Sequence, residues 1–212
     1  SAVKLAGGEP VYYDLTLAGN WEPDLEALAK TDLSKVKLMW VNYPHMPTGQ
    51  LPSVRFFESL IAFATKHQIL ICHDNPYSFI LNEKPQSLLS IKGAKDVVVE
   101  LNSLSKSSNM AGWRVGMLVG KKDRIEEVLR FKSNMDSGMY LPIQLAAAKA
   151  LSLGKDWYDS INVIYKTRRE KVFELLDLLQ CTYSKTQVGM FVWASIPATY
   201  ADGFALSDKV LY

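Results

Sequence analysis

Cysteine, histidine and excess charge are all scarce in this 212-residue chain. Its two cysteines, Cys72 and Cys181, lie far apart in apolar company. Buried free thiols in a reducing compartment are therefore expected, and a disulfide framework is not. The three histidines, His45, His67 and His73, have no i,i+4 pairing and no cysteine at finger-like spacing, which leaves no metal-ligand pattern. Lys plus Arg number 24 against 22 Asp plus Glu, a net charge of +2, so electrostatics argue for neither a nucleic-acid nor an anionic-membrane partner. The basic stretch 166–171 is interrupted by Glu170 within a helical pattern and reads as a solvated face. No apolar run approaches the roughly 20 residues that span a bilayer. No basic start followed by an apolar stretch marks a secretory signal. A cytoplasmic protein is expected.

What is present is an ordinary globular composition, 48% hydrophobic and 22% charged, long enough for one sizeable core and a smaller appendage. Strand-like segments at 11–15, 37–41, 69–73, 97–101 and 115–119 alternate with helical patterns. The nearly unbroken apolar run 37–41 suggests a strand covered on both faces. Pro23 opens a first helix with Leu25, Leu28 and Ala29 on one side. A longer helix over 52–67 buries Phe56, Phe57, Leu60, Ile61 and Ala64, with Ser53 at its first turn. Helices over 122–134 and 142–153 precede a long one over 156–179 with an apolar stripe from Trp157 to Leu179. After an irregular stretch at 182–189, residues 190–194 read as a strand and 208–212 as a helix in progress. The succession predicts an α/β fold, a three-layer α/β/α large domain with a mostly parallel sheet, followed by the start of a small α+β domain. The expected units are 1–154, an interdomain helix at 155–181, and 182–212.

Three polar clusters fall just beyond the carboxyl ends of predicted parallel strands, where such sheets place ligands. Residues 42–49 (Asn-Tyr-Pro-His-Met-Pro-Thr-Gly) follow the first, and Asp74, Asn75, Pro76 and Tyr77 follow the second. Ser103, Leu104, Ser105 and Lys106, then Gly112, Trp113 and Arg114, follow the third. Each alone is a common turn or a solvated loop. Their weight lies in an acid, a phenol, a lysine and an arginine converging on one edge.

The run from Ser103 through Lys106 to Arg114 and Gly116 resembles the lysine signature of fold-type I, class I/II aminotransferases, with the family's spacing from lysine to arginine. Asp74 and Tyr77 are similar to its Asp-x-x-Tyr element, and residues 43–49 to its Pro-x-x-Pro-Thr-Gly turn. The general look is nearest to aspartate-type and diaminopimelate-type members. The resemblance implies pyridoxal 5'-phosphate as cofactor, held by Lys106 as a Schiff base. Freed by the substrate amine, Lys106 then moves a proton between the substrate α-carbon and the cofactor. It implies Asp74 on the pyridine nitrogen, strengthened by the low dielectric at the end of an apolar strand. It further implies Tyr77 on the 3' oxygen, Ser103 and Arg114 on the phosphate, and Gly112 easing a tight turn beside them. The implied activity is transamination (EC 2.6.1.-) between an α-amino acid and a 2-oxo acid. The implied full-length enzyme is a homodimer, and residues 133–140 fall where the family places interface loops; an ordinary surface loop fits the same composition.

Two departures from the family bear on that expectation. The residue before Pro47 is usually an asparagine that hydrogen-bonds the 3' oxygen; here it is Met46, a poor acceptor and no donor. Either that bond is lost or a neighbour replaces it: His45 is one candidate and Asn42 the other, although the resemblance implies that the commoner role of Asn42 is to shape the turn. The chain is also about half the family's length. The glycine-rich phosphate loop is expected before Ser1 and the carboxylate-gripping arginine beyond Tyr212, so poor activity is expected of these residues alone. A carbon–sulfur β-lyase using the same residues, and a regulatory homologue that has lost catalysis, stand as alternatives.

Overall fold

The computed structural model describes residues 2–211; Ser1 and Tyr212, outer limits of the first and last expected units, lie outside the described residues. A sheet of order β1-β2-β3-β4 forms its centre. β1 (Leu38–Asn42) pairs in parallel with β2 (Leu70–Asp74), and β2 with β3 (Val98–Ser103), whereas β4 (Gly116–Gly120) runs antiparallel to β3. The mostly parallel α/β sheet expected from the sequence is present.

Two single helical turns, α1 (Ala2–Leu5) and α2 (Leu25–Leu28), precede β1. α2 begins at Asp24, whose carboxylate accepts from the Ala27 N–H at 2.9 Å. α3 (Val54–His67) crosses from β1 to β2, capped by Ser53, which accepts from the Phe56 N–H at 3.0 Å. It ends at Gln68 in the left-handed conformation. Phe56, Phe57, Leu60, Ile61 and Ala64 are buried as expected, and Phe63 joins them. They pack on Met39, Val41, Ile71 and Val98 to form the main core. A 3₁₀ turn (Leu88–Ser90) and α4 (Ala94–Val97) lead into β3.

Three expectations need correction. β1 is not covered on both faces: Met39 and Val41 lie under α3, but Leu38 is 50% and Trp40 49% exposed. Among the described residues, helices cover one side of that edge strand. Residues 11–15 form no strand, because no neighbouring backbone pairs with them; the Tyr13 hydroxyl instead donates to the Trp40 carbonyl. At the far end, strand pairing begins only at Ala194, and its partner comes from the stretch expected to be irregular: β5 (Thr182–Tyr183) pairs antiparallel with β6 (Ala194–Ser195).

The β3–β4 connection carries α5 (Leu104–Ser107) and a 3₁₀ turn (Ala111–Trp113). α6 (Lys122–Met135), α7 (Leu141–Leu151) and α8 (Lys155–Leu178) follow, and α9 (Gly203–Leu211) closes the described chain. A second cluster joins Leu104, Met110 and Val115 to Ala147 and Ala150 of α7. α6 buries no residue, and of the expected α8 stripe only Ile161 is buried. Ile164, Val172 and Leu175 keep their apolar faces exposed.

Candidate active site

All three sequence clusters lie at one rim of the sheet. The pairings Asn42↔Asp74 and Asp74↔Leu101 bring the carboxyl ends of β1, β2 and β3 level, and the Asn75 N–H donates to the Leu101 carbonyl at 2.8 Å. Ser103 pairs with Gly116, so the connection bearing Lys106 and Arg114 leaves and rejoins the sheet at this same rim.

The loop after β1 is tightly braced. Asn42 Nδ2 donates to the Asp74 carbonyl at 2.9 Å, and its Oδ1 accepts from the Met46 N–H at 2.7 Å. The turn-shaping role expected of Asn42 is what the structure holds. Gly49 takes φ +68, and a Cβ there would meet the Val188 carbonyl oxygen at 2.6 Å. The Val188 N–H donates to the Gly49 carbonyl at 3.0 Å, and the Gly189 N–H to the Ile80 carbonyl at 2.8 Å. Residues 188–189 thus clamp the loops after both β1 and β2.

His45 Nδ1 shares a 2.7 Å hydrogen bond with Thr48 Oγ1, and its ring stacks on Trp21 at 6.2 Å. Burial lowers its pKa from the usual imidazole value. Met46 beside it is 43% exposed. A small cleft is lined by His45, Met46, Pro47, Tyr77, Gly189 and Phe191.

Asp74 ends β2 half-buried; burial raises its carboxyl pKa above the ordinary range, and His73 works in the opposite sense. Tyr77 is 8% exposed, and its phenol is pushed up by burial and then by Asp74. Ser103 caps α5, its Oγ accepting from the Ser105 N–H at 3.1 Å. Lys106 sits half-buried within α5. Neither the Asp74 carboxylate, the Tyr77 hydroxyl nor the Lys106 ammonium has a hydrogen-bond partner among the described residues. Arg114 is exposed and itself adopts a left-handed φ of 56, with Nη1 donating to the Ala111 carbonyl at 2.7 Å. Gly112 is not at positive φ and a Cβ there would meet nothing within 4 Å, so the expected need for glycine does not arise.

Behind the rim lies a buried network that the sequence did not announce. His73 is fully buried, with Nε2 donating to the Tyr43 carbonyl at 3.0 Å and Nδ1 lying 3.1 Å from Glu100 Oε2. Glu100 also accepts from Ser87 Oγ at 2.7 Å, the Leu88 N–H at 3.0 Å and Asn75 Nδ2 at 3.1 Å. Burial opposes the Glu100 charge, but the hydrogen bond and charge of His73, with Ser87 and Asn75, hold its pKa below the usual carboxylate range. The available signal was a charged residue in the middle of the apolar run at 97–101.

Parallel strands delivering an acid, a phenol and a lysine to one rim define a class, and comparison gives it a family. The family model "Aminotransferase class I and II" matches residues 1–211, and the chain belongs to this pyridoxal-phosphate-dependent family. It is 42% identical over 199 residues to LL-diaminopimelate aminotransferase of Dehalococcoides mccartyi strain BAV1, covering 93% of this chain and 51% of that protein. It is 40% identical over 210 residues to the protein of the same name in Gloeobacter violaceus, covering 96% and 54%. Among solved structures, apo-BacF from Bacillus subtilis superposes with TM-score 0.90 at 34% identity, over 99% of this chain and 54% of that one. A probable N-succinyldiaminopimelate aminotransferase from Thermus thermophilus gives 0.84 at 29% identity, over 93% and 53%. The chain spans about half the length of the curated relatives it matches.

Proposed function

We propose that this chain provides the lysine-bearing part of an aminotransferase that moves an amino group between an α-amino acid and a 2-oxo acid. The observation that carries the reading is the shared rim: a half-buried acid, a buried phenol and a half-buried lysine, none engaged by another group of the described chain. That donor set fits pyridoxal 5'-phosphate. When bound, the cofactor supplies an aldehyde that takes up an amine and a ring that accepts electrons.

The chain's own residues do the rest. Lys106 would hold the cofactor through its Nζ, and the same amine, when free, would hold and move a proton. Asp74 would hold the ring nitrogen in its charged form, and Tyr77 would donate to the neighbouring ring oxygen. Arg114, with its guanidinium mostly free, and Ser103 take the phosphate. His45 lies in the cleft beside Tyr77 and is the group available where Met46 offers no hydrogen bond. The relatives' name makes LL-diaminopimelate the first amino donor to test. The relatives cited are aminotransferases by name, which favours transfer over β-elimination or a regulatory role. The same reading carries the division at 154 and 181, a cytoplasmic location and a homodimer joined partly through residues 133–140.

The test is covalent. After incubation with pyridoxal phosphate, borohydride reduction and digestion, mass spectrometry is expected to find the label on the peptide containing Lys106. A label confined to other peptides overturns the assignment, as does labelling that survives in Lys106→Ala.

A further inference from the structure

We infer that His73 is held as a doubly protonated imidazolium between Glu100 and the Tyr43 carbonyl, and that this buried cation, one residue from Asp74, keeps the site's carboxylate charged. His73 is thus a positioning residue that acts through Asp74. The inference rests on the reading of Asp74 as the acid that meets the cofactor ring.

The proton count follows from the partners. A carbonyl oxygen only accepts, so the Nε2 that faces Tyr43 at 3.0 Å carries a hydrogen. A neutral ring protonated there would turn a bare Nδ1 lone pair toward Glu100 Oε2 at 3.1 Å, so one more proton lies between them. Glu100 Oε2 already accepts from Ser87 and the Leu88 N–H, and Oε1 from Asn75. A carboxylate so supplied with donors stays ionised, and the proton belongs to His73. Every other neighbour leaves that arrangement alone. The Phe57 ring from α3 covers His73 at 5.6 Å and is apolar, while the charged Arg55 and Glu58 of α3 are exposed. The Tyr43 phenol is turned away to donate to the Trp21 carbonyl at 2.6 Å. Asp74, next along β2, is the remaining acid near the ring, and its carboxylate has no counter-ion of its own among the described residues. Burial disfavours its charge and outweighs the opposing pull of His73, and a fixed cation behind it offsets part of that cost.

Two measurements on the full chain test this. In cofactor-free protein with ¹⁵N-labelled histidine, both His73 ring nitrogens are expected to give protonated, imidazolium-type shifts in neutral buffer. A neutral ring there overturns the inference. The second compares pyridoxal phosphate affinity against pH in wild type and His73→Gln, which keeps a hydrogen-bonding side chain and loses the charge. The acid-side loss of affinity is expected to move up by about one pH unit, roughly tenfold weaker binding within that window, with near wild-type affinity at about pH 9. A merely structural His73 would instead weaken binding equally at all pH values, and that result, like no change at all, sinks the proposal. If the variant does not fold, the nitrogen shifts of the wild type decide. Failure of the Lys106 labelling would remove the cofactor reading while leaving the His73 protonation measurable, so the two failures are separable.

Discussion

Asn42 and Asp74 face each other at the rim of the β1–β2 pair, and the Asn42 side chain joins the Asp74 carbonyl at 2.9 Å to the Met46 N–H at 2.7 Å. One amide therefore sets the loop after β1 against the strand that carries the acid. Replacing it with alanine leaves a part-buried carbonyl and an exposed N–H to find new partners. Asn42→Ala is expected to cost about 2 kcal/mol, measured by urea unfolding. A cost below about 0.5 kcal/mol would mean that the loop is held by other contacts.

Gly49→Ala meets two obstacles at once. The left-handed φ of 68 disfavours a Cβ, and that Cβ would lie 2.6 Å from the Val188 carbonyl oxygen, a backbone atom that cannot swing aside. A destabilisation of roughly 2 kcal/mol or more is expected in chemical denaturation. Wild-type stability in this variant would show that residues 188–189 are free to retreat.

Asp74→Asn is expected to separate stability from function. The folded pKa of Asp74 is raised by burial, so the fold holds its proton more tightly than the unfolded chain does. Stability from this group is present below the unfolded carboxylate pKa and is lost as pH rises through the folded value. At neutral pH the cofactor-free Asn variant should therefore melt at a higher temperature than wild type, while binding pyridoxal phosphate at least about tenfold more weakly. A lower melting temperature would refute the assigned sign.

Met46→Asn restores the amide that the family pattern carries. Met46 is exposed, so unfolding free energy should change by no more than about 0.5 kcal/mol. Cofactor affinity, followed by fluorescence titration, should improve by roughly 2- to 10-fold, the worth of one added hydrogen bond. Unchanged affinity would indicate that His45 already fills that role.

Phe57→Ala removes a ring that is 1% exposed and touches both Tyr43 and His73. A loss of about 3–5 kcal/mol is expected, read by denaturant unfolding. A loss near 1 kcal/mol would mean that the core collapses around the gap.

The strands and helices legible in the sequence were those whose burial repeats locally. α3 carries its core positions at helical spacing behind a Ser53 cap, and β2 and β3 are short apolar runs ending in polar residues. β1 differs because Leu38 and Trp40 look like core residues, yet the described residues leave their face about half exposed. Residues 11–15 alternate like a strand, but alternation supplies no partner backbone. The motifs gave the rim positions of Asp74, Tyr77 and Lys106, because each falls directly after a strand. The His73–Glu100 pair escaped notice because its members stand 27 positions apart and meet only through sheet register. Trp21, which stacks on His45, and Gly189, which borders the cleft, were equally invisible, being brought in from distant loops.

Because β4 reverses direction against β3, Lys106 and Arg114 occupy a single excursion of the chain whose two feet, Ser103 and Gly116, are stitched together. The proposed covalent tether and phosphate grip therefore share one segment of chain, and the span between them would set the length of ligand they can hold. Lengthening that excursion by even a residue would part the two ends of the grip, so this connection, with Leu104, Ser107 and Met110 buried, should refuse the insertions that surface loops tolerate.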